Sequence, residues 1–266
     1  MRLFTFWSFA PLTYIEHLCL KSMLAAGHPV DLYTYDENLL APEGVSVRDA
    51  AEIMPRDRVL FHKRGNSPAL FSDLFRYAGL ERNLGTWVDA DVLMLRSIAD
   101  MGDYIFGWEH DRQINGAILK LPADSALFAY VEKLAKSRVP FPSYWGPRKR
   151  IKQLLRACVG MQRTIERLDW GAVGPRALTH YALTSGLAEL AQPVEVFYPI
   201  PTQDAAIAFD PDAKVESRLS SETRTVHLWN FLIREHKRCP PPPGSYIARM
   251  CERHGVDCSL PAPMAA

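Results

Sequence analysis

The stretch GTWVDADVLML, residues 85–95, sets Asp89 and Asp91 one residue apart inside an otherwise apolar run. Two unpaired charges in such a run would be costly to bury. Reading residues 86–88 as a strand that ends in Asp-x-Asp gives the pair a use. Side chains alternate along a strand, so both carboxylates point to one side. At the carboxyl edge of a parallel sheet, where open α/β folds bind ligands, they would converge. Two hard carboxylates suit Mn2+ or Mg2+, which would neutralise them and bridge to a diphosphate. Two solvated charges in a turn at a strand end produce the same pattern, so the motif alone leaves both readings open.

Working outward, residues 68–82 (PALFSDLFRYAGLER) carry Leu70, Leu74, Tyr77 and Ala78 at helical spacing, with Pro68 at the start where proline is tolerated. Upstream, residues 3–9 read as a buried strand, 13–26 as a helix stopping at Gly27, and 29–35 as an alternating strand. This β-α-β opening predicts a mostly parallel sheet with crossover helices. Residues 41–67 read as loops around one short strand. Downstream, strands are expected at 104–108, 114–121, 193–198 and 223–229, and helices at 125–137, 151–168 and 176–184. The expected organisation is one α/β domain over residues 1–238. A Pro-rich tail (239–266), with Pro240 to Pro243 in a row, would wrap the surface.

The 266 residues suffice for one domain with a substantial core. Hydrophobic residues at 48% and charged residues at 23% are globular values, and the net charge of +1 gives no signal for nucleic acid. Five cysteines, Cys19, Cys158, Cys239, Cys251 and Cys258, lack CxxC spacing. They fit reduced thiols in a cytoplasmic setting better than a zinc ribbon or disulfide framework. The first twenty residues are broken by Pro11 and Glu16, which argues for a strand and against a membrane span.

The run SPALFSDLFRYAGLERNLGTWVDADVLML resembles the glycosyltransferases with a DXD sugar-nucleotide motif. In these a helix bearing Ser-Asp-x-x-Arg-Tyr leads through a Gly turn into aromatic-x-Asp-x-Asp. Further pieces follow in the same order: INGA (114–117), WGAVGP (170–175), VFYP (196–199) and VHLWN (226–230). The resemblance spans residues 1 to 235. It is greatest toward bacterial capsule and lipopolysaccharide sugar transferases, with α-1,4-galactosyltransferase and mannosyltransferase-like enzymes as broader relatives. Two positions depart from the family pattern. Leu84 precedes Gly85 where the family usually has Gly-Gly, and Phe231 and Leu232 follow VHLWN where a further Trp is common.

The resemblance implies a GT-A fold, a single Rossmann-like nucleotide-diphospho-sugar transferase domain with a mixed, mostly parallel sheet. It also implies retaining transfer of a hexose from a UDP-sugar, with Mn2+ or Mg2+, to a saccharide or lipid-linked acceptor in surface polysaccharide synthesis. Asp89 would face the ribose and the metal, Asp91 would bind the metal directly, and His227 would complete the metal site or simply be a packed histidine. Asp73 and Arg76, one helical turn apart, would hold sugar hydroxyls and the charged part of the donor; otherwise they form a surface ion pair. Asn115 would touch the donor sugar or lie near the reacting carbon; otherwise it is a turn amide before Gly116. Trp229 and Asn230 would close over the diphosphate, and Trp7 would stack on the base or pack in the core.

Residues 148–168 (RKRIKQLLRACVGMQRTIERL) combine one apolar helical face with seven Lys or Arg and a single Glu. Such a helix can lie on an anionic membrane, placing the enzyme peripherally on the inner face, or can cover the sheet. Two rival functions remain. A haloacid-dehalogenase-like phosphatase also places Asp-x-Asp after an apolar strand, but normally after the first. A catalytically silent sugar-nucleotide-binding protein would keep the same residues without turnover.

Overall fold

The opening apolar run folds as β1 (Leu3–Phe6), shorter than the sequence predicts; Trp7 N–H still donates to Tyr33 O at 3.0 Å, and Phe9 then turns into the left-handed region at φ 77°. The computed structural model describes residues 1–63 and 67–259. Next comes α1 (Tyr14–Ala25), started by a capping box in which Thr13 Oγ1 accepts from Ile15 N–H and Glu16 accepts from Thr13 N–H. Strands β2 (Val30–Thr34) and β3 (Val45–Asp49) follow, then α2 (Ala69–Glu81), β4 (Thr86–Val88) and β5 (Val92–Met94). The hairpin β6 (Ile105–His110) and β7 (Gln113–Lys120) leads into α3 (Ala126–Lys136), α4 (Pro147–Cys158) and α5 (Pro175–Thr184). A helical turn α6 (Val194–Phe197), strand β8 (Thr225–His227) and helix α7 (Tyr246–Arg253) complete the chain.

Six strands form the central sheet in the order β3-β2-β1-β4-β7-β6. The first four are parallel, β7 runs antiparallel to them and β6 antiparallel to β7, as expected for a mixed, mostly parallel α/β sheet. Successive β1 residues serve opposite faces. Leu3 joins the core under α1, while Phe4 and Phe6 join the core under α2, α3 and α5. Both faces are buried, which is why these strands read as near-continuous apolar runs. A separate two-stranded ribbon, β5 with β8, packs beside α1 and was not legible as a strand pair in the sequence.

Three expectations need correction. Residues 193–198 are not a strand but the turn α6. The carbonyls of Val196 and Phe197, which a ladder would have used, accept instead from Arg224 N–H at 2.8 Å and the Thr225 hydroxyl at 3.1 Å. The helix expected over 151–168 is α4, and it ends at Cys158. Gly160 takes φ 69°, and the N–H groups of Gly160 and Met161 donate to Ala157 O (3.1 Å) and Arg156 O (2.7 Å). That is a Schellman termination, which glycine permits. Finally, Asp89 and Asp91 do not sit on an extended strand; they occupy the turn between β4 and β5. The segment after residue 238 packs on the domain, with Tyr246, Ile247 and Cys251 of α7 entering the core beneath α1; residues 260–266 of the expected tail lie outside the described residues. All five cysteines are free.

Gly79, in the middle of α2, sits where an added Cβ would lie 2.3 Å from the buried ring of Phe4. Alanine would normally favour a helix interior by about 1 kcal/mol. Here the clash with a ring that cannot move reverses the sign. Gly79→Ala is expected to destabilise by roughly 1–3 kcal/mol in urea unfolding, and a stabilised variant would contradict this packing of α2 on β1.

Candidate active site

Arg76, on α2 and only 5% exposed, ties the site together. Its Nη2 donates to Asp89 Oδ1 at 2.9 Å, and its Nη1 lies 3.4 Å from Asp73 Oδ1, one helical turn back. The guanidinium carbon lies 5.0 Å from the centroid of the Trp87 ring, whose indole N–H donates to the same Asp89 oxygen at 2.5 Å. Two glycines make room for this pair. A Cβ on Gly116 would lie 2.5 Å from Arg76 Nη1, and one on Gly174 would lie 2.4 Å from Asp73 Oδ2. The glycines of INGA and WGAVGP, nearly sixty residues apart, therefore back the same ion pair.

Asp89 and Asp91 converge through a turn. Asp89 N–H donates to Ala117 O at 2.7 Å and its carbonyl accepts from Val92 N–H at 3.1 Å, so the chain reverses within the motif. The next strand pairs antiparallel with β8, setting Val92 opposite His227. That register brings His227 Nε2 to 3.3 Å from Asp91 Oδ2, an oxygen that also accepts Asn230 N–H at 2.7 Å. Ligand atoms of Asp89, Asp91 and His227 lie within 4.8 Å of one another. A divalent cation with bonds of about 2.0–2.6 Å spans about 4–5 Å between opposite ligands. The donor set of two carboxylates and one imidazole suits Mn2+ or Mg2+. Asp89 Oδ2 and Asp91 Oδ1 take part in no hydrogen bond among the described residues, and His227 Nδ1 is buried without a partner. The residues present therefore fit a cation.

Burial and charge work against each other across this corner. Burial pushes the Asp89 carboxyl up, with Arg76 opposing. Asp91 feels the same burial, yet the His227 imidazole and the Asn230 N–H bring it down to about 2. Burial lowers His227, and the two aspartates more than reverse it. Asp73 is pushed up to about 6 by burial, only partly offset by Arg76.

The cavity of about 700 Å³ beside these groups is lined by Asp73, Arg76, Asp89, Asp91, Asn115, His227, Trp229 and Asn230. Of the residues singled out from sequence, Trp7 alone is not among the lining residues. Its indole N–H donates to Ala10 O at 2.8 Å and its ring lies under the Lys237 ammonium at 5.2 Å. The Asn115 amide is already engaged: Oδ1 accepts Ala117 N–H at 2.8 Å and Nδ2 donates to Glu109 Oε2 at 2.9 Å. Glu109 also lines the cavity and also accepts from Gln113 Nε2 at 2.9 Å. Sequence reading missed it. Its only signal is the Glu-x₅-Asn spacing across a hairpin, visible once β6 and β7 are paired. Asp169, Trp170 and Arg176 line the cavity as well. Trp229 takes φ 57°, donates from its indole to Ile200 O at 2.8 Å and packs on His227 with centroids 4.0 Å apart.

Asp73 binds its proton more tightly when folded than the ordinary 3.8, so the folded state holds more protons between pH 4 and 6. Its contribution is full below pH 3.8 and is lost as pH rises through 6, up to roughly 3 kcal/mol. Asp73→Asn is expected to remove this decline relative to wild type in urea titrations at pH 4 and 7. Parallel pH dependences for the two proteins would refute it.

The family model described as the alpha 1,4-glycosyltransferase conserved region matches residues 149–259, less than half of the chain. The matched segment contains WGAVGP, His227, Trp229 and Asn230 and lies beyond the acidic turn. No curated protein matches the chain significantly. A solved structure titled PaToxG Glycosyltransferase aligns with 11% identity over 71% of this chain and 74% of its own, with a TM-score of 0.41, a likeness too distant to carry an argument. The matched region, on a mixed α/β sheet of this kind, supports a GT-A-like glycosyltransferase, an enzyme that transfers sugars.

Proposed function

We propose that the protein transfers a hexose from a UDP-sugar to a hydroxyl of a saccharide or lipid-linked acceptor, using Mn2+ or Mg2+ held by Asp89, Asp91 and His227. The convergence of those three side chains on a cavity that Asp73 and Arg76 also line carries this reading. When bound, the cation would act as a Lewis acid and offset the charge growing on the departing diphosphate. Asp89 and Asp91 each keep one uncommitted oxygen, while Arg76 and Trp87 both hold Asp89 by Oδ1. Arg76, desolvated and rigidly held, adds a preorganised positive charge. Asp73 offers its remaining oxygen to sugar hydroxyls. Asn115 and Gln113 hold Glu109 by Oε2, leaving Oε1 to accept a hydrogen bond from a substrate hydroxyl. Likeness of the motifs to surface-polysaccharide transferases supports retention of anomeric configuration, and a cytoplasmic, bacterial polysaccharide pathway as the setting. No helix among the described residues is long and apolar enough to cross a membrane.

Adding UDP with Mn2+ is expected to raise Tm by roughly 5–10 °C at about 100 times the dissociation constant. Asp91→Asn should abolish the manganese-dependent part. Equal stabilisation by UDP without metal, or in the variant, would remove the basis for the metal assignment.

Incubation of the wild type with UDP-hexoses and Mn2+ is expected to release UDP, with Asp91→Asn and Arg76→Lys each slower by about 10²–10³. Proton NMR of a transfer product should show the donor's own anomeric configuration. Release of phosphate from a generic aryl phosphate, with no UDP from any donor, would favour the phosphatase; binding without turnover would favour the silent binder.

A further inference from the structure

The twelve residues of α4 are packed the wrong way round for a helix that covers a sheet. Their one buried side chain is polar: Gln153 donates to Arg163 O at 2.8 Å and to Pro140 O at 3.4 Å, and accepts Arg163 N–H at 3.1 Å. At about 100° per residue, Ile151, Leu154, Leu155 and Cys158 share roughly 100° of arc on the far side. Ile151, Leu154 and Leu155 are 55%, 53% and 65% exposed, and Val159 and Met161, just past the Schellman turn, extend the strip. A contiguous apolar strip of this kind marks an interaction surface.

Its border identifies the partner. Arg148 and Lys152 flank one edge and Arg150 the other, with Lys149 and Arg156 behind; the helix contains no acid. Arg148, Lys152 and Arg156 make no ion pair among the described residues. A second copy of the chain would bring the same five positive charges against these. Nucleic acid would meet aliphatic side chains where stacking rings are needed. An anionic lipid surface satisfies both parts, with aliphatic side chains entering the acyl boundary and cations facing headgroup phosphates.

We propose that α4 with residues 159–161 docks the protein on an anionic lipid bilayer. The opposite side of the helix borders the cavity. Lys149 Nζ lies 3.4 Å from Asp169 Oδ2, and Arg163 and Arg176 approach the same carboxylate at 3.1 and 3.5 Å. Asp169, its neighbour Trp170 and Arg176 line the cavity, and Trp170 is 53% exposed. An acceptor anchored in the bilayer would thus be held about one helix diameter from the cavity rim while the helix stays docked. Docking itself is independent of which donor the cavity takes.

Co-sedimentation of the full chain with vesicles tests this. Wild type is expected to bind phosphatidylcholine vesicles containing phosphatidylglycerol, more weakly as salt rises, and not vesicles of phosphatidylcholine alone. The double variants Leu154→Glu/Leu155→Glu and Arg148→Glu/Lys152→Glu should each lose at least about tenfold in binding, with unchanged thermal unfolding and unchanged release of UDP from the donor. Absence of binding to the anionic vesicles overturns the proposal, as does undiminished binding by the leucine variant. So does a stable dimer that the leucine variant dissociates, or RNA bound in preference to vesicles.

Discussion

Two carboxylates one residue apart, Asp91 buried and Asp89 partly so, can coexist only if each has its own counter-charge, and the site is built around that requirement. Asp89 has Arg76, and Asp91 has His227 together with the Asn230 N–H. Removing one partner from such an arrangement typically costs several kcal/mol, because the other charge stays buried. Arg76 in turn needs space, and Gly116 and Gly174 leave it. The glycine pattern of two remote motifs thus follows from the volume of one guanidinium–carboxylate pair. So does the hairpin position of INGA: Ala117 O holds the Asp89 N–H, so the same strand supplies the gap for Arg76 and the anchor of the turn.

Much of this was legible in residue order. The β-α-β opening and α2 follow from periodicity, and the Asp89/Asp91 pair from spacing, because those features are local; Asp73 and Arg76 enter as candidates only through the resemblance of the surrounding motif. His227 was legible only as a candidate, since its proximity to Asp91 depends on the β5–β8 register, a pairing across more than 130 residues of chain. The physical reason for Asp-x-Asp convergence was misread: the turn after Val88 brings the oxygens together, not strand periodicity. Residues 193–198 alternate like a strand, yet the backbone curls after Pro193, its carbonyls accepting from Arg224 N–H and the Thr225 hydroxyl at the start of β8. Short apolar runs do not distinguish these cases. Glu109 carries no motif, and only the β6–β7 hairpin places it over Asn115.

The residues following β8 show how the site depends on chain that has little regular structure of its own. Trp229 turns left-handed, a conformation that costs a bulky residue energy and persists only where surroundings enforce it. Its indole is held by Ile200 O and its ring by His227 and Tyr198. One residue on, the Asn230 backbone supports Asp91 while its side chain reaches Glu16 and Lys237. Glu16 is the capping-box residue of α1, fully buried, accepting from the Thr13 N–H and hydroxyl as well as from Lys237 and Asn230.

A buried ion pair is a poor source of net stability, and it persists only when its remaining lone pairs and protons are satisfied. Glu16 and Lys237 meet that condition through Thr13 and Asn230. What the pair supplies is position. It fixes the residue 229–237 segment against the N-terminus of α1, and that segment carries Trp229, Asn230, Phe231 and Leu232 along the cavity. The acidic turn is therefore complete only after the chain has returned from β8 to α1. Beyond that cluster, Ile233 is fully buried in the core and His236 stacks on Phe209 at 4.5 Å, with its carbonyl accepting from the Tyr14 hydroxyl at 2.9 Å. The cluster that holds the Asn230 side chain is thus one of several anchors that place its backbone N–H on Asp91.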